Sequence, residues 1–132
     1  DAPDPVATEA YRLALDGLRL LQRGAIDPAI ATLDRSLALV PDDAVARSRL
    51  ATALRAAART REAADALDRV IAADTATPIV VRAQAFVDRA AIFEADGDAD
   101  RAIALYRRAR DLRGGAPSAI AAARDALERL AR

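Results

Sequence analysis

The sequence has no cysteine, histidine, methionine or tryptophan, and neither lysine nor asparagine occurs. Without cysteine or histidine, zinc and haem sites lose their usual ligands. Serine, cysteine and lysine nucleophile schemes lose their partner base as well. Carboxylates and two tyrosines are the acid–base groups that remain. The expectation is therefore no cofactor, no metal site and no catalysis. Neither sign of charge is in excess, since 20 basic residues face 20 acidic ones. A nucleic-acid binder draws much of its affinity from a basic surplus, and a membrane-surface helix sets a basic face beside an apolar one. Neither pattern is present, and no apolar run is long enough to span a bilayer. Nucleic acid and membrane insertion are set aside as partners.

What is present suits a helical core. The 132 residues are 53% hydrophobic and 30% charged, enough for one ordinary domain. Arginine without lysine fits either a use of bidentate contacts or the alanine- and arginine-heavy composition of a GC-rich bacterial genome, and the second reading is adopted. The opening DAPDPVATEA is polar, proline-rich and acidic, with no signal-peptide or lipidation motif. It reads as the start of a mature exported protein or as an imposed boundary. A periplasmic or exported location is favoured over the cytoplasm.

One phrase is written more than once. GAIDPAIATLDRSLALVPDD begins at Gly24 and GDADRAIALYRRARDLRGG begins at Gly97. A third copy lies between them, in REAADALDRVIAAD. The alanines Ala29, Ala63 and Ala102 keep the register at spacings of 34 and 39 residues. Other positions follow: Leu33, Leu67 and Tyr106; Ser36, Val70 and Ala109; the turn residues Gly24, Ala58 and Gly97; the helix stops Pro41, Thr75 and Gly114; and the small residues Gly17, Ala51 and Ala90. Repeats near 34 residues point to stacked helical hairpins. Over residues 10 to 114 the pattern resembles the tetratricopeptide repeat family, with departures at Asp16, Arg47 and Arg89. The resemblance implies an all-α solenoid of three helix-turn-helix units plus a C-terminal capping helix, seven helices in all. The divisions expected are an extended segment over 1–8, three repeats within 9–116 (about 10–43, 44–77 and 78–116), and the capping helix over 117–132.

Helix periodicity agrees independently. Ala10, Leu13, Ala14, Gly17, Leu20 and Leu21 follow i, i+3, i+4 spacing, as do Ile30, Leu33, Leu37 and Val40. Glycine inside a helix costs about 1 kcal/mol against alanine, so Gly17 implies a close helix approach. Asp27, Asp42 or Asp43, and Asp100 are expected as N-caps, with Pro28 in a first turn. Asp96, Asp98 and Asp100 alternate as in a calcium loop, but the glycine is misplaced and Arg107 stands where the closing glutamate belongs. Thr77-Pro78 is expected to cap a longer helix that carries Ile79, Val80 and Val81 beyond the regular register. These three then either cover the preceding helix end or form an apolar knob. Ile120, Ala123, Leu127 and Leu130 form the inner stripe expected of the last helix, which closes the array or dimerises.

The resemblance further implies a concave groove lined by the first helix of each unit. The partner-binding residues expected there are Tyr11, Leu15, Leu18 and Gln22; Val45, Arg49, Thr52 and Arg55; and Gln84 and Asp88. Residues 1 to 8 fold back over the Tyr11 face, or that face is left for a partner. Arg49 either pairs with Asp88 or receives a partner carboxylate. Family members that clamp acidic chaperone tails use basic and asparagine residues. Here the matching places hold Ala14, Leu18, Arg49, Gln84 and Asp88, which argues against such a clamp. The function expected is a non-catalytic scaffold for a protein or peptide, as an accessory subunit of a larger exported assembly. The alternative is a self-associating structural protein using the C-terminal helix or the Ile79–Val81 projection. A carboxylate enzyme based on Asp88 and Glu94 would need a raised pKa in one of them.

Overall fold

A computed structural model describes residues 2–73 and 76–132. Among them are seven α-helices and no strand: α1 (Pro5–Gln22), α2 (Ile26–Leu39), α3 (Ala44–Ala56), α4 (Thr60–Ala72), α5 (Ile79–Ala95), α6 (Ala99–Asp111) and α7 (Pro117–Leu130). The chain divides into two compact units, Asp1–Ala66 and Leu67–Arg132.

The repeated phrase is a repeated helix stop. At Gly24, Ala58 and Gly97 the backbone enters the left-handed region, with φ of 77°, 61° and 81°. Each turn then makes the same pair of bonds. Gly24 N–H donates to Leu21 O and Ala25 N–H to Leu20 O. Ala58 and Arg59 donate to Arg55 O and Leu54 O, and Gly97 and Asp98 to Glu94 O and Phe93 O. This is the Schellman arrangement, which satisfies carbonyls that a helix end leaves unpaired. Glycine enters the left-handed region without a steric penalty, whereas Ala58 does so against its Cβ.

In the first unit α2 packs against both α1 and α3. Gly17 is a point of close approach: a Cβ there would lie 2.6 Å from Leu33 Cγ, and Leu33 is fully buried. Ser36, also buried, donates its hydroxyl to Ala10 O at 2.6 Å, so the polar atom in the core is satisfied. Arg47, a departure from the repeat pattern, donates to Pro41 O.

In the second unit α5, α6 and α7 enclose Phe86 and Tyr106 among alanines, including Ala83, Ala90, Ala102, Ala109 and Ala123. Small side chains let helix axes come close, and the two large rings fill the space that remains. The guanidiniums of Arg82 and Arg108 stand 5.0 and 4.4 Å from the Phe86 ring centre. Arg89, another departure from the repeat pattern, lies 3.9 Å from the Phe93 ring centre and donates to Asp68 at 2.8 Å.

Several local expectations are corrected. Residues 5 to 8 are not extended: Asp4 caps α1 by accepting from Val6 N–H at 2.9 Å, and Pro5 occupies the first turn. They continue the helix and do not fold back over Tyr11. Ala25, not Asp27, is the N-cap of α2, because the bond to Leu20 O lets the helix restart at once and leaves Asp27 in its first turn. Asp43 caps α3 through Ala46 N–H. Asp98, not Asp100, caps α6, accepting from Arg101 N–H at 3.2 Å. Pro78 stands at the cap position of α5, while Thr77 is buried and donates to Val70 O at 2.9 Å. Helix α5 has 17 residues against 13 in α3, the longer helix the five extra residues require. Ala119, Ala123 and Ala126 are the buried stripe of α7, with Leu127 and Leu130 flanking it and Ile120 partly buried. The stop expected at Thr75 lies outside the described residues.

Candidate functional site

Helix periodicity places Tyr11, Leu15, Leu18 and Gln22 on one face of α1. Ala10, Leu13, Ala14 and Gly17 are buried on another. The two faces meet at Ala14, which belongs to the core. Tyr11 is 71% exposed, Leu15 and Leu18 are half-buried, and Gln22 is exposed. The ring is left open on a helix whose other face already supplies the core.

Helix α3 supplies the neighbouring row. Val45 and Arg49 are half-buried, and Thr52 and Arg55 are exposed. Arg49 Nη1 donates to Ala14 O at 3.1 Å, which ties α3 to α1. A guanidinium carries five N–H donors, so this bond leaves others for a carboxylate. Ser48 and Thr52 turn their hydroxyls back onto Val45 O and Ser48 O of their own helix, at 2.8 and 3.2 Å.

In the second unit Gln84 donates to Asp88 at 2.9 Å, both on α5. Val87, between them, is buried. Glu94 departs most from expectation. Tyr106 donates its hydroxyl to Glu94 Oε1 at 2.9 Å, and Arg129 of α7 donates to both carboxylate oxygens. The Arg129 hydrogen bond, with help from Tyr106, holds the Glu94 carboxyl below its ordinary range. Burial, and then the bond to Glu94, push the Tyr106 phenol up to about 12. The raised pKa that a carboxylate enzyme would need is not found at Glu94, whose shift is downward, and these bonds tie α5, α6 and α7 together. Arg129 lies 35 residues from Glu94, and no sequence spacing announces the pair. Among the described residues no group of three or more acidic, histidine or cysteine side chains could hold a metal ion. None of the described helices is long and apolar enough to cross a membrane.

A family profile described as Tetratricopeptide repeat matches residues 20–85. Several solved structures share the fold. The translocator chaperone SycD of Yersinia enterocolitica type III secretion, in an alternative dimer, is 14% identical, with a TM-score of 0.81 over 94% of this chain and 92% of its own. The Sgt2 domain from Aspergillus fumigatus is 22% identical, with a TM-score of 0.77 over 99% of this chain and 80% of its own. The first such domain of Spaghetti (RPAP3), bound to an HSP90 peptide, is 20% identical, with a TM-score of 0.76 over 96% of each chain. No curated protein matches the sequence. With the repeated helix stops, the small-residue contact at Gly17 and a profile spanning half its length, the chain belongs to the tetratricopeptide repeat family.

Proposed function

We propose that this chain is a non-catalytic interaction scaffold. In this reading a peptide, a helix or a protein surface sits on Tyr11, Leu15, Leu18 and Gln22 of α1 beside Val45, Arg49, Thr52 and Arg55 of α3. The 71% exposure of Tyr11 beside half-buried Leu15 and Leu18 carries the reading. A ligand that fits has an apolar anchor for the Tyr11–Leu18 face and a carboxylate for Arg49 or Arg55. The Spaghetti domain's HSP90 peptide is a precedent for peptide capture on this fold. The tail-clamp mode is not proposed, since Arg49 is the one basic residue at the matching positions. An accessory-subunit role in a larger, exported assembly is the wider form of the same proposal.

Selection of displayed random peptides tests it. Peptides enriched on the wild-type chain should lose binding to a Leu18→Asp, Arg49→Glu variant whose helicity is unchanged. Peptides that bind both equally sink the assignment. Self-association is a second reading, favoured by Ile79 and Val80 at the start of α5, which are 50% and 54% exposed. Mass measured over a dilution series decides it, and a monomer at every concentration refutes it.

A further inference from the structure

We propose that the cleft between α1 and α2 docks an extended acidic segment of a partner protein, on a surface separate from the Tyr11 face. The cleft has a volume of about 370 Å³ and is lined by Arg12, Asp16 and Arg19 of α1 and Arg23 at its C-cap, with Thr32 and Arg35 of α2. The first four stand one residue on from Tyr11, Leu15, Leu18 and Gln22. That places the row about 100° round the helix from the first face.

The charges inside the cleft do not balance. Asp16 is the one acid in the lining and is shared by Arg12 at 2.9 Å and Arg19 at 3.8 Å. Arg12 is further held by Glu9 at 2.6 Å. Among the described residues, no carboxylate stands at ion-pair distance from Arg23 or Arg35, and Glu9, already held by Arg12, acts on Arg35 at longer range. A chain with no net charge thus gathers a cationic surplus in one concave place, where field lines concentrate and an anion is drawn in.

Spacing selects the anion. From Arg12 to Arg23 the helix rises about 16 Å, and from Arg19 to Arg23 about 6 Å. An extended peptide sets same-side carboxylates about 6.6 Å apart, so two alternate acidic residues match Arg19 and Arg23, and a longer acidic run reaches on to Arg12. One phosphate reaches only an end of such a row. A single-stranded nucleic acid repeats its charge but needs aromatic platforms for its bases, and no aromatic residue lines the cleft.

The test is fluorescence anisotropy of a labelled hexaglutamate peptide at low and at physiological salt. Wild type should bind, more weakly as salt rises. Arg23→Glu with Arg35→Glu should weaken binding at least about tenfold, because attraction becomes repulsion at two contacts. Arg61→Glu with Arg113→Glu changes net charge equally at exposed places outside the cleft, and should stay within about twofold. Thr32→Asp should weaken binding from the α2 side, and Leu18→Asp should leave it intact, which separates this site from the Tyr11 face. Circular dichroism confirms the fold of each variant. The proposal is overturned if wild type does not bind the peptide or if the charge-matched control loses as much as the cleft variant. It is equally overturned if inorganic phosphate or a ten-nucleotide thymidine oligomer binds the cleft and the peptide does not.

Discussion

Ala58 occupies a glycine's place, and replacing it with glycine should stabilise the protein. Its φ is 61°, and the equivalent residues of the other two turns are glycines at 77° and 81°. A residue with a Cβ pays about 1–2 kcal/mol for this conformation. Glycine gives back about 0.4–1 kcal/mol through its greater freedom in the unfolded chain. The difference leaves a gain of up to about 1.6 kcal/mol, centred at about 0.8, for Ala58→Gly. Ala58 is exposed, so no packing is lost. The converse changes, Gly24→Ala and Gly97→Ala, should cost a similar amount. A Cβ at either place meets nothing within 4 Å, so the backbone alone is probed. Urea unfolding followed by far-ultraviolet circular dichroism reads all three. The midpoint should rise for Ala58→Gly and fall for the other two, with an unchanged slope. A midpoint for Ala58→Gly at or below wild type, with both glycine variants destabilised, would refute the equivalence of the three turns.

Three further outcomes are expected. Gly17→Ala gains about 1 kcal/mol of helix propensity but overpacks Leu33 at a cost of about 1–3 kcal/mol, so its urea midpoint should fall; combined with Leu33→Ala, a double-mutant cycle should show strong coupling. Ser36→Ala removes the buried bond to Ala10 O and should cost about 1 kcal/mol in the same assay. Glu94 and Tyr106 contribute to opposite pH limbs of the second unit's stability. Glu94 is depressed when folded, so its contribution is complete above the ordinary value of 4.5 and fades as acid protonates it. Tyr106 is raised from 10.0 to about 12, so its contribution is complete below pH 10 and is lost as the pH rises through the folded value. Ultraviolet titration of a Tyr11→Phe variant reads the phenol alone, and ionisation near pH 10 would contradict the buried contact. Glu94→Gln should flatten the acid limb of stability against pH.

The architecture was open to reading because its causes are local. Helical periodicity, the 34-residue spacing and the turn positions Gly24, Ala58 and Gly97 depend on residues a few places apart, where backbone dihedrals and side-chain spacing decide the outcome. Gly17 was legible for the same reason, as a helix-weakening residue that only a close neighbour justifies. The caps were less so. Asp27 and Asp100 have the right chemistry, yet the bonds of the preceding turn brought each helix start forward, to Ala25 and Asp98. Thr77 likewise has a capping side chain, and a buried carbonyl at Val70 claimed it.

The sequence alone thus determined an all-α repeat, its period, and the faces that α1 and α3 present. Tertiary structure alone decided that Tyr11 is left open and that Arg49 bonds to Ala14 O. It also decided that Glu94 is bolted to Tyr106 and Arg129, and that Arg23 and Arg35 share a cleft with one overcommitted aspartate. Each of these depends on the register between separate helices packed together. That register is set by how side-chain volumes pack, a quantity no spacing within one helix records.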